Sequence, residues 1–535
     1  MKKINKIFAV GVLAIFLLPL ISTAQEDEFY NFTFGGAGDE TTGVIYSDHY
    51  KFGSVKIDLS TQRNNYKGGE RLVVNGILRN TNSYPVLDGG VHVQIFRRND
   101  SYKTKAGNDL IVEFFAEKDI TLNANSNKKI SFNWDIPEKI TAGRYLVAMD
   151  YVVDETFYLS GSPILEGVYG GISYFQIDGG IGDEIIFNKE NIFVNNNKVY
   201  SRDFVPEINK GDDVFIQYQL NNLSSSSQNI TVLEKLYNWD GLKEENLITT
   251  NTENIELNAQ ENKERTINFS DLSPGTYLLK VSTESEQKVP AVLNIRFTVK
   301  GEPVPARINF QMLQNFPIKG GVPNTIFSSF HSVFYGAAEG HRVNLTLQDD
   351  RGNTISEANY SGDIQPGVTA ILEEFNPNRD YNKVLLKTTV YDKNDNIVNE
   401  VSTEYSPEKF ANMPSVLSTA VRNNELIIAL TDVFGNAVDS EYAIEIRDKE
   451  GKNIFFEPSQ SGEFKRNIEE LGLNRNENYD LIALALNDNM RITAEDVNLD
   501  ELEKEGLRSI TLYIILFIAL IVVLIVIKKL STKKV

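Results

Sequence analysis

Cysteine is absent from this 535-residue sequence. Its absence excludes disulfides, thiolate-bound metals, iron–sulfur clusters and a cysteine nucleophile together. Histidine is almost as scarce, with residues only at positions 49, 92, 331 and 341, which leaves little for a histidine-based metal site. We therefore predict no cofactor and no metal site, and a fold stabilised by hydrophobic cores alone.

Positive charge is also in short supply. Lysine and arginine number 53 against 73 aspartate and glutamate residues, which gives a net charge of -20. No nucleic acid partner is expected, because phosphate binding needs a basic surface. Apolar residues make up 41% of the chain and aromatic residues 10%, enough for packed cores, and the length indicates several domains.

The signature motifs of common hydrolases and nucleotide-binding enzymes are missing. The sequence contains no His-Glu-x-x-His, no Gly-x-Ser-x-Gly and no Gly-x-x-x-x-Gly-Lys-Ser/Thr, so zinc peptidases, α/β-hydrolases and P-loop enzymes lack their parts. We predict that the protein is not an enzyme and has no catalytic residues. Glycan hydrolysis by paired carboxylates stays open, because only geometry identifies such a pair.

Three further segments were candidates for ligand loops. Gly35–Glu40 and Gly179–Glu184 are glycine-rich, but β-branched and aromatic residues follow each, which predicts loops rather than phosphate-binding turns. Asp392–Asn396 begins like a calcium loop, yet Ile397 stands where the required glycine would be, which favours a hairpin turn. Ca²⁺ between acidic domains stays open, with no ligand set to name.

The N-terminus carries the pattern of a secretory signal. In residues 1–24, Lys2, Lys3 and Lys6 precede an apolar run that ends in small residues, as a cleaved signal peptide does. We predict a mature chain that begins at Gln25. An uncleaved N-terminal anchor is the alternative, because the same lysines would orient it.

The C-terminus carries the pattern of a membrane anchor. Residues 509–527 are almost wholly apolar and would rise about 28 Å as a helix, close to the thickness of a bilayer core. Residues 528–535 contain four lysines, Lys528, Lys529, Lys533 and Lys534, which predicts a cytoplasmic tail and an N-terminal ectodomain outside the plasma membrane. Without the seven lysines of leader and tail, the charge of -20 becomes -27.

Short alternating runs dominate the chain between these ends. Val55–Leu59, Gly90–Ile95, Val343–Leu347 and Ala443–Ile446 alternate apolar and polar residues, which is typical of half-buried antiparallel strands. The predicted fold class is all-β: tandem Ig-like antiparallel β-sandwiches in an extended array, plus a short juxtamembrane helix and one C-terminal transmembrane helix.

An internal repeat connects two of the predicted sandwiches. Ile120–Lys128 matches Ile255–Lys263, and an asparagine follows an earlier strand in each copy, at Asn80 and Asn222. We predict two copies of one domain with the same strand order. Superposition is expected to match two pairs of residues, Leu122 with Leu257 and Tyr145 with Tyr277.

The second half of the chain repeats turns rather than strands. Hairpins are predicted at four acidic turns, where aspartate caps the turn and glycine or asparagine takes positive φ: Asp349–Asn353, Asp392–Asn396, Asp432–Asn436 and Asp448–Lys452. A tyrosine lies at the start of a late strand in each unit: Tyr145, Tyr277, Tyr381 and Tyr479. Each would either bury its ring and hydrogen-bond its hydroxyl to the backbone, or be an ordinary aromatic residue that favours a strand.

Boundaries near residues 180, 301 and 412 divide the chain. The predicted segments are a signal peptide (1–24), a β-sandwich with an insertion (25–180), three further β-sandwiches (181–300, 301–412 and 413–492), an acidic stalk helix (493–508), the transmembrane helix (509–527) and the tail (528–535). Thr493 is the predicted N-cap of the stalk helix.

Several of these motifs resemble known Ig-like families. The Lys67-Gly-Gly-Glu strand, the Leu-Asn-Ala segment and the Gly-x-Tyr strand resemble the CARDB type, and Tyr66–Phe96 is similar to the second domain of macroglobulins. Asp432–Val438 resembles invasin-type repeats. These resemblances imply sandwich folds in surface proteins. The protease-trapping thioester of macroglobulins is not implied, because it needs a cysteine.

Asn-x-Ser/Thr sequons are expected on the outside, where they are candidate N-glycosylation sites. They are Asn31, Asn99, Asn222, Asn229, Asn268, Asn344 and Asn359.

The sequence predicts a membrane-anchored extracellular binding, adhesion or cell-envelope scaffold protein with a protein or glycan ligand on the cell exterior. The alternative is an accessory subunit that holds a secretion, glycosylation or transport partner at the membrane. Short Gly- and Pro-rich junctions predict a jointed rod, with the ligand surface on residues 26–178. The insertion Tyr151–Gly180 would either carry this surface or pack against its own domain.

Overall fold

The computed structural model describes most of the region between the predicted leader and anchor. The described residues are 30–32, 55–98, 109–152, 170–182, 184–199, 206–238, 246–285, 289–301, 306–332, 338–364, 368–486 and 490–504. They are almost entirely β-strand, so the all-β prediction is confirmed. No helix among them is long and apolar enough to cross a membrane, and residues 1–24 and 509–535 lie outside them.

The first sandwich follows a short strand β1 (Tyr30–Phe32) that pairs elsewhere. Its strands are β2 (Val55–Thr61), β3 (Asn65–Lys67), β4 (Arg71–Asn80), β5 (Val86–Arg97), β6 (Asp109–Leu122), β7 (Ser126–Asp135), β8 (Gly143–Val152) and β9 (Gly170–Asp178). They form one sheet in the order β2-β4-β7 and a second in the order β3-β9-β8-β5-β6, with a hydrophobic core between them.

The second sandwich begins just after residue 182. Its strands are β10 (Ile185–Phe187), β11 (Phe193–Val194), β12 (Asn197–Lys198), β13 (Glu207–Asn209), β14 (Val214–Asn222), β15 (Gln228–Asn238), β16 (Leu247–Leu257), β17 (Asn262–Phe269), β18 (Gly275–Ser285) and β19 (Ala291–Lys300), with a 3₁₀ turn at Lys189–Asn191. One sheet has the order β13-β19-β18-β15-β16, and in the other β14 pairs with β10, β11 and β17.

The two sandwiches have the same strand order, which confirms the predicted duplication. The sheet β3-β9-β8-β5-β6 recurs as β13-β19-β18-β15-β16. In both sheets, the strand that comes first in the chain pairs in parallel with the strand that comes last: β3 with β9, and β13 with β19. Leu122 ends β6 as Leu257 ends β16, and Tyr145 is the third residue of β8 as Tyr277 is of β18. The expected pairs therefore lie on equivalent strands.

The two repeated asparagines have one structural role. The Nδ2 of Asn80 lies 3.1 Å from the carbonyl oxygen of Leu122 and 2.9 Å from that of Asn123. In the second copy, the Nδ2 of Asn222 lies 3.3 Å from the carbonyl oxygen of Leu257 and 2.8 Å from the equivalent one of Asn258. Each side chain thus joins the end of one strand to the turn between two others.

Asn222 should therefore be worth far more to stability than a neighbouring surface asparagine. The substitution Asn222→Ala leaves buried carbonyl groups without a donor and should cost about 1–3 kcal/mol. The exposed Asn229 is the matched control, and Asn229→Ala should change stability by less than about 0.5 kcal/mol. Thermal unfolding of the two variants measures the difference, and equal losses would contradict this role.

The third and fourth sandwiches share a seven-strand plan. The third has β20 (Ala306–Leu313), β21 (Asn324–Ser332), β22 (Ala338–Asp349), β23 (Thr354–Ile364), β24 (Val368–Phe375), β25 (Val384–Tyr391) and β26 (Ile397–Tyr405), then the single-turn helix α1 (Pro407–Phe410). The fourth has β27 (Val416–Arg422), β28 (Glu425–Thr431), β29 (Glu441–Arg447), β30 (Asn453–Ser461), β31 (Phe464–Asn467), β32 (Asn478–Ala485) and β33 (Met490–Asn498).

Equivalent strands pair in both of these sandwiches. The third has the sheets β1-β24-β21-β20 and β23-β22-β25-β26, so β1 extends a sheet far from it in sequence. The fourth has β27-β28-β31 and the row β33-β32-β29-β30. Each of these two sandwiches encloses its own hydrophobic cluster. The domain boundaries predicted from the sequence near residues 180, 301 and 412 remain predictions.

The four acidic hairpins are formed as predicted. At the first three, the aspartate Oδ1 accepts two backbone N–H bonds of 2.8–2.9 Å from residues two and four positions later, and at Asp448 it accepts one from Lys452. Positive φ falls on a glycine in three of them and on Asp395 in the fourth. The calcium-like segment Asp392–Asn396 is therefore a hairpin turn.

Three of the four tyrosines are buried. Tyr145 donates to the carbonyl of Thr141 at 2.5 Å, and Tyr277 donates to that of Ser273 at 2.7 Å. Tyr479 is also buried, but its hydroxyl accepts from the backbone N–H of Asn474. Tyr381 differs: it is only half-buried and makes a single bridge to Ile318.

The predicted N-cap of the stalk helix is wrong. Thr493 lies inside β33, opposite Ile482, and the helical residues are 499–504. The side chain of Asn498 accepts the N–H of Glu501 and caps that turn. Leu499 is fully buried in the fourth core, so this turn packs on the sandwich instead of standing free as a stalk.

The predicted insertion is shorter than the sequence indicated. Residues 170–178 form β9, which pairs with β8 and β3 and contributes Phe175 and Ile177 to the core. Glycines and aromatics obscured this strand, because they interrupt the alternation that marks the others. Residues 153–169 lie outside the described part of the chain.

Candidate binding groove

One face of the first sandwich is covered by the second. The inward residues of β5 are Val91, Val93 and Ile95. Because side chains alternate along a strand, His92, Gln94 and Phe96 lie on the outer face. All three are nevertheless at most 3% exposed, since Val292 packs against Phe96 from the second sandwich. The outer face of β5 is thus part of an interface and does not contact solvent.

A buried carboxylate lies at the centre of this interface. Glu113 of β6 pairs with Lys280 of the second sandwich at 2.6 Å and with His92 at 3.0 Å. The side chain of Gln94 donates to the same carboxylate at 3.0 Å. Burial alone would raise the pKa of Glu113, but the hydrogen bond with His92 and the charge of Lys280 lower it well below its ordinary range.

A second ion pair closes the same junction at the start of β10. The Arg97 guanidinium lies 2.6 Å from Glu184 and 3.0 Å from Asp109. The backbone N–H of Thr141 also donates to Glu184, whose side chain is 1% exposed. Burial opposes the charge of Arg97, yet the two carboxylates raise its pKa above the ordinary value.

Lys189 is a buried cation beside this pair. It lines a cavity of about 10 Å³ together with Asp109 and Glu184. Burial lowers the pKa of Lys189 to about 8, an effect that the charge of Asp109 only partly offsets. Lys189 therefore loses its proton more readily in the folded protein than in the unfolded chain. At neutral pH, where Lys189 is charged, its burial lowers the stability of the junction.

Replacing Lys189 should stabilise the protein. Because the folded pKa lies below the ordinary value of 10.5, stability should rise as pH increases from 7 towards 10. The substitution Lys189→Met should remove this dependence and add about 1–3 kcal/mol at pH 7. Thermal unfolding across this pH range measures both effects. The exposed Lys118→Met is the control, and a wild-type stability that falls over this range would contradict the prediction.

The first sandwich also contacts the third and the fourth. Tyr84, in the loop after β4, inserts into the third core, stacks edge-on against Tyr405 at 5.2 Å and donates to the carbonyl of Leu313 at 2.8 Å. On another side, β7 pairs antiparallel with β33 over Ser126↔Ile492 to Lys128↔Met490. A single seven-stranded sheet, β2-β4-β7-β33-β32-β29-β30, therefore runs through two sandwiches.

The predicted jointed rod is wrong in this respect. In a jointed rod, the first sandwich would contact no sandwich except the next one along the chain. Instead, the first sandwich contacts all three others, because a polar strand face, one loop tyrosine and one sheet edge each find a partner distant in sequence.

Near this covered face the first sandwich has an open groove of about 350 Å³. Arg144 and Gln176 lie opposite each other on β8 and β9, and Tyr174 lies two residues earlier on β9. Arg98 follows β5, where its N–H donates to the carbonyl of Arg144 at 2.8 Å. The remaining lining residues are Asn64, Asn65, Tyr145 and Phe175.

The groove is basic, although the chain as a whole is acidic. Its described lining residues include two arginines and no acidic residue, in a chain with an excess of acids. Neither Arg98 nor Arg144 makes an ion pair with any residue that the structure describes. The Arg98 guanidinium lies 5.6 Å from the centre of the Tyr174 ring, which is 48% exposed. Both arginines lie within the predicted ligand surface of residues 26–178, but no local pattern marks them, since strand pairing alone brings them together.

The candidate glycosylation sites differ in environment. Asn229, Asn268 and Asn359 are exposed, and Asn344 is half-buried beside Asn359, 3.0 Å away. Asn222 is buried in the turn described above. Asn31 lies in β1, where only the backbone is described, and Asn99 lies outside the described residues. Use of these sequons stays a prediction.

No group of three or more histidine, aspartate or glutamate side chains in the described residues is placed to hold a metal ion. The close acidic and basic groups at the junction are instead paired with each other. What the groove offers chemically is recognition: two guanidinium forks, three side-chain amides and an aromatic ring.

Comparison with known proteins yields structural likenesses only. No protein-family model matches the sequence, and no curated protein matches it. The chain is similar to Escherichia coli alpha-2-macroglobulin activated by porcine elastase, at 10% identity and a TM-score of 0.27, over 83% of this chain and 43% of that one. Salmonella alpha-2-macroglobulin reacted with methylamine gives 11% identity and a TM-score of 0.25, over 83% and 30%.

The chain thus spans less than half the length of these macroglobulins. TM-scores this low support no inference about architecture or function.

Proposed function

We propose that the protein is a non-catalytic, single-pass surface protein whose sandwiches form one binding or scaffold head outside the cell. One observation carries the proposal: the first sandwich contacts each of the others through buried side chains or a shared sheet. Such contacts hold grooves and loops in fixed relative positions, which a recognition surface requires.

One observation favours the accessory-subunit alternative. Because β7 continues the sheet of the fourth sandwich, the first sandwich lies beside the unit that leads to residues 499–504 and the proposed anchor. A head folded back in this way would stay close to the bilayer, where a membrane partner could contact it. An adhesin that reaches away from the cell would gain nothing from that arrangement.

Surface labelling tests the proposed topology. A membrane-impermeant amine reagent applied to intact cells should label lysines of the described region, whereas Lys528, Lys529, Lys533 and Lys534 should react only after permeabilisation. Mass spectrometry of the extracted protein locates the labels. Tail labelling on intact cells would reject the topology, and so would complete protection of the sandwiches.

Purification in mild detergent separates the two candidate functions. A partner recovered in stoichiometric amount with the protein would favour the subunit, and a free protein would favour the independent surface head. Activity on a panel of glycans or peptides, abolished by mutation of one carboxylate, would overturn the non-catalytic assignment.

A further inference from the structure

We propose that the groove between Arg98, Arg144 and Tyr174 binds a saccharide that carries a carboxylate, such as a uronic acid. The inference rests on the proposed binding role and adds the ligand class. It does not depend on the membrane anchor. The groove is open to solvent and is large enough, at about 350 Å³, to hold one or two sugar rings.

The charge of the groove indicates an anionic ligand group. Several exposed arginines of this protein pair with carboxylates, as Arg71 does with Asp135 and Arg79 with Asp58. Arg98 and Arg144 have no such partner among the described residues. Two guanidiniums on one groove can bind a carboxylate with paired, charge-assisted hydrogen bonds.

The overall charge limits how acidic the ligand is. The full sequence carries a net charge of -20. A polyanion would be repelled by the rest of this surface as it approached. A ligand with an isolated carboxylate gains the local attraction of the two arginines without that repulsion.

The neutral groups of the groove indicate a sugar. The Tyr174 ring is 48% exposed and lies beside the Arg98 guanidinium, so the exposed part of the ring can contact the apolar C–H face of a pyranose. Asn64, Asn65 and Gln176 line the groove, and their side-chain amides make no hydrogen bond to any described residue. Amides both donate and accept, so they match sugar hydroxyls, which do the same.

Titration of the full-length, detergent-solubilised protein with sodium glucuronate tests the inference. Calorimetry should show glucuronate binding at least tenfold more tightly than glucose. Arg144→Ala should weaken glucuronate binding at least tenfold, and Tyr174→Ala should weaken it while leaving the much weaker binding of acetate unchanged. Arg422→Ala, an exposed arginine away from the groove, is the matched control and should have no effect.

Three results would overturn the inference: equal affinity for glucose and glucuronate, an Arg144→Ala variant that binds as the wild type does, or tetraglutamate binding more tightly than glucuronate. Unchanged melting temperatures of the variants separate lost binding from lost folding. A protein that fails these titrations but is found on the cell surface with its tail inside would reject the ligand class and leave the proposed function standing.

Discussion

Glu113→Ala should destabilise the junction of the first two sandwiches by about 3–5 kcal/mol, because it leaves the buried His92 and the partly buried Lys280 without their carboxylate. Calorimetric unfolding and faster hydrogen exchange in β5 and β18 measure the loss. The exposed Glu117, on the same strand, provides the control: Glu117→Ala should change stability by less than about 0.5 kcal/mol.

The same carboxylate predicts how the junction responds to acid. The pKa of Glu113 is lower in the folded protein than its ordinary value of 4.5, so its contribution is complete above that value and is lost as pH falls below it. The wild type should therefore lose more stability than Glu113→Gln between pH 6 and pH 3. A variant with the same acid dependence as the wild type would show that Glu113 does not hold this junction.

Tyr84→Ala should cost about 3–5 kcal/mol, because it empties a ring-sized space in the third core. The ring contacts Tyr405 and Phe410, with centroids 5.2 and 6.0 Å away, and it belongs to a loop of a different sandwich. The loss should therefore appear in the contact between sandwiches as well as in the third core. Cross-linking between residues 81–87 and the third sandwich, with thermal unfolding, measures both.

Tyr84→Phe separates the ring from its hydroxyl. It removes the hydroxyl that donates to the carbonyl of Leu313 and should cost about 1 kcal/mol. If alanine cost no more than phenylalanine, the ring would not fill the third core, and the contact between the first and third sandwiches would not depend on Tyr84.

Local sequence patterns determined the class of fold and most turns. Alternation predicted the strands because one face of each points into a core, and the short Asp-x-x-Gly/Asn segments predicted hairpins because their side chains bond within five residues. The duplication could also be predicted from the sequence. Asn80 and Asn222 each donate a hydrogen bond to the same kind of turn, so the asparagine and the turn sequence occur together in both copies. The same patterns failed at β9, where glycines replace alternating residues, and at Thr493, where a strand continues into the expected helix.

The sequence by itself determined that this chain forms separate β-sandwiches, because their strands and turns depend on contacts close in sequence. Only the tertiary structure decided how the sandwiches meet. His92 and Gln94 are polar, as expected for a strand face that contacts solvent. This face is an interface only because Lys280 and Val292 of the second sandwich lie opposite it. Pairing of β7 with β33 and of Arg98 with Arg144 likewise depends on backbone edges, which present the same N–H and C=O groups whatever the side chains are.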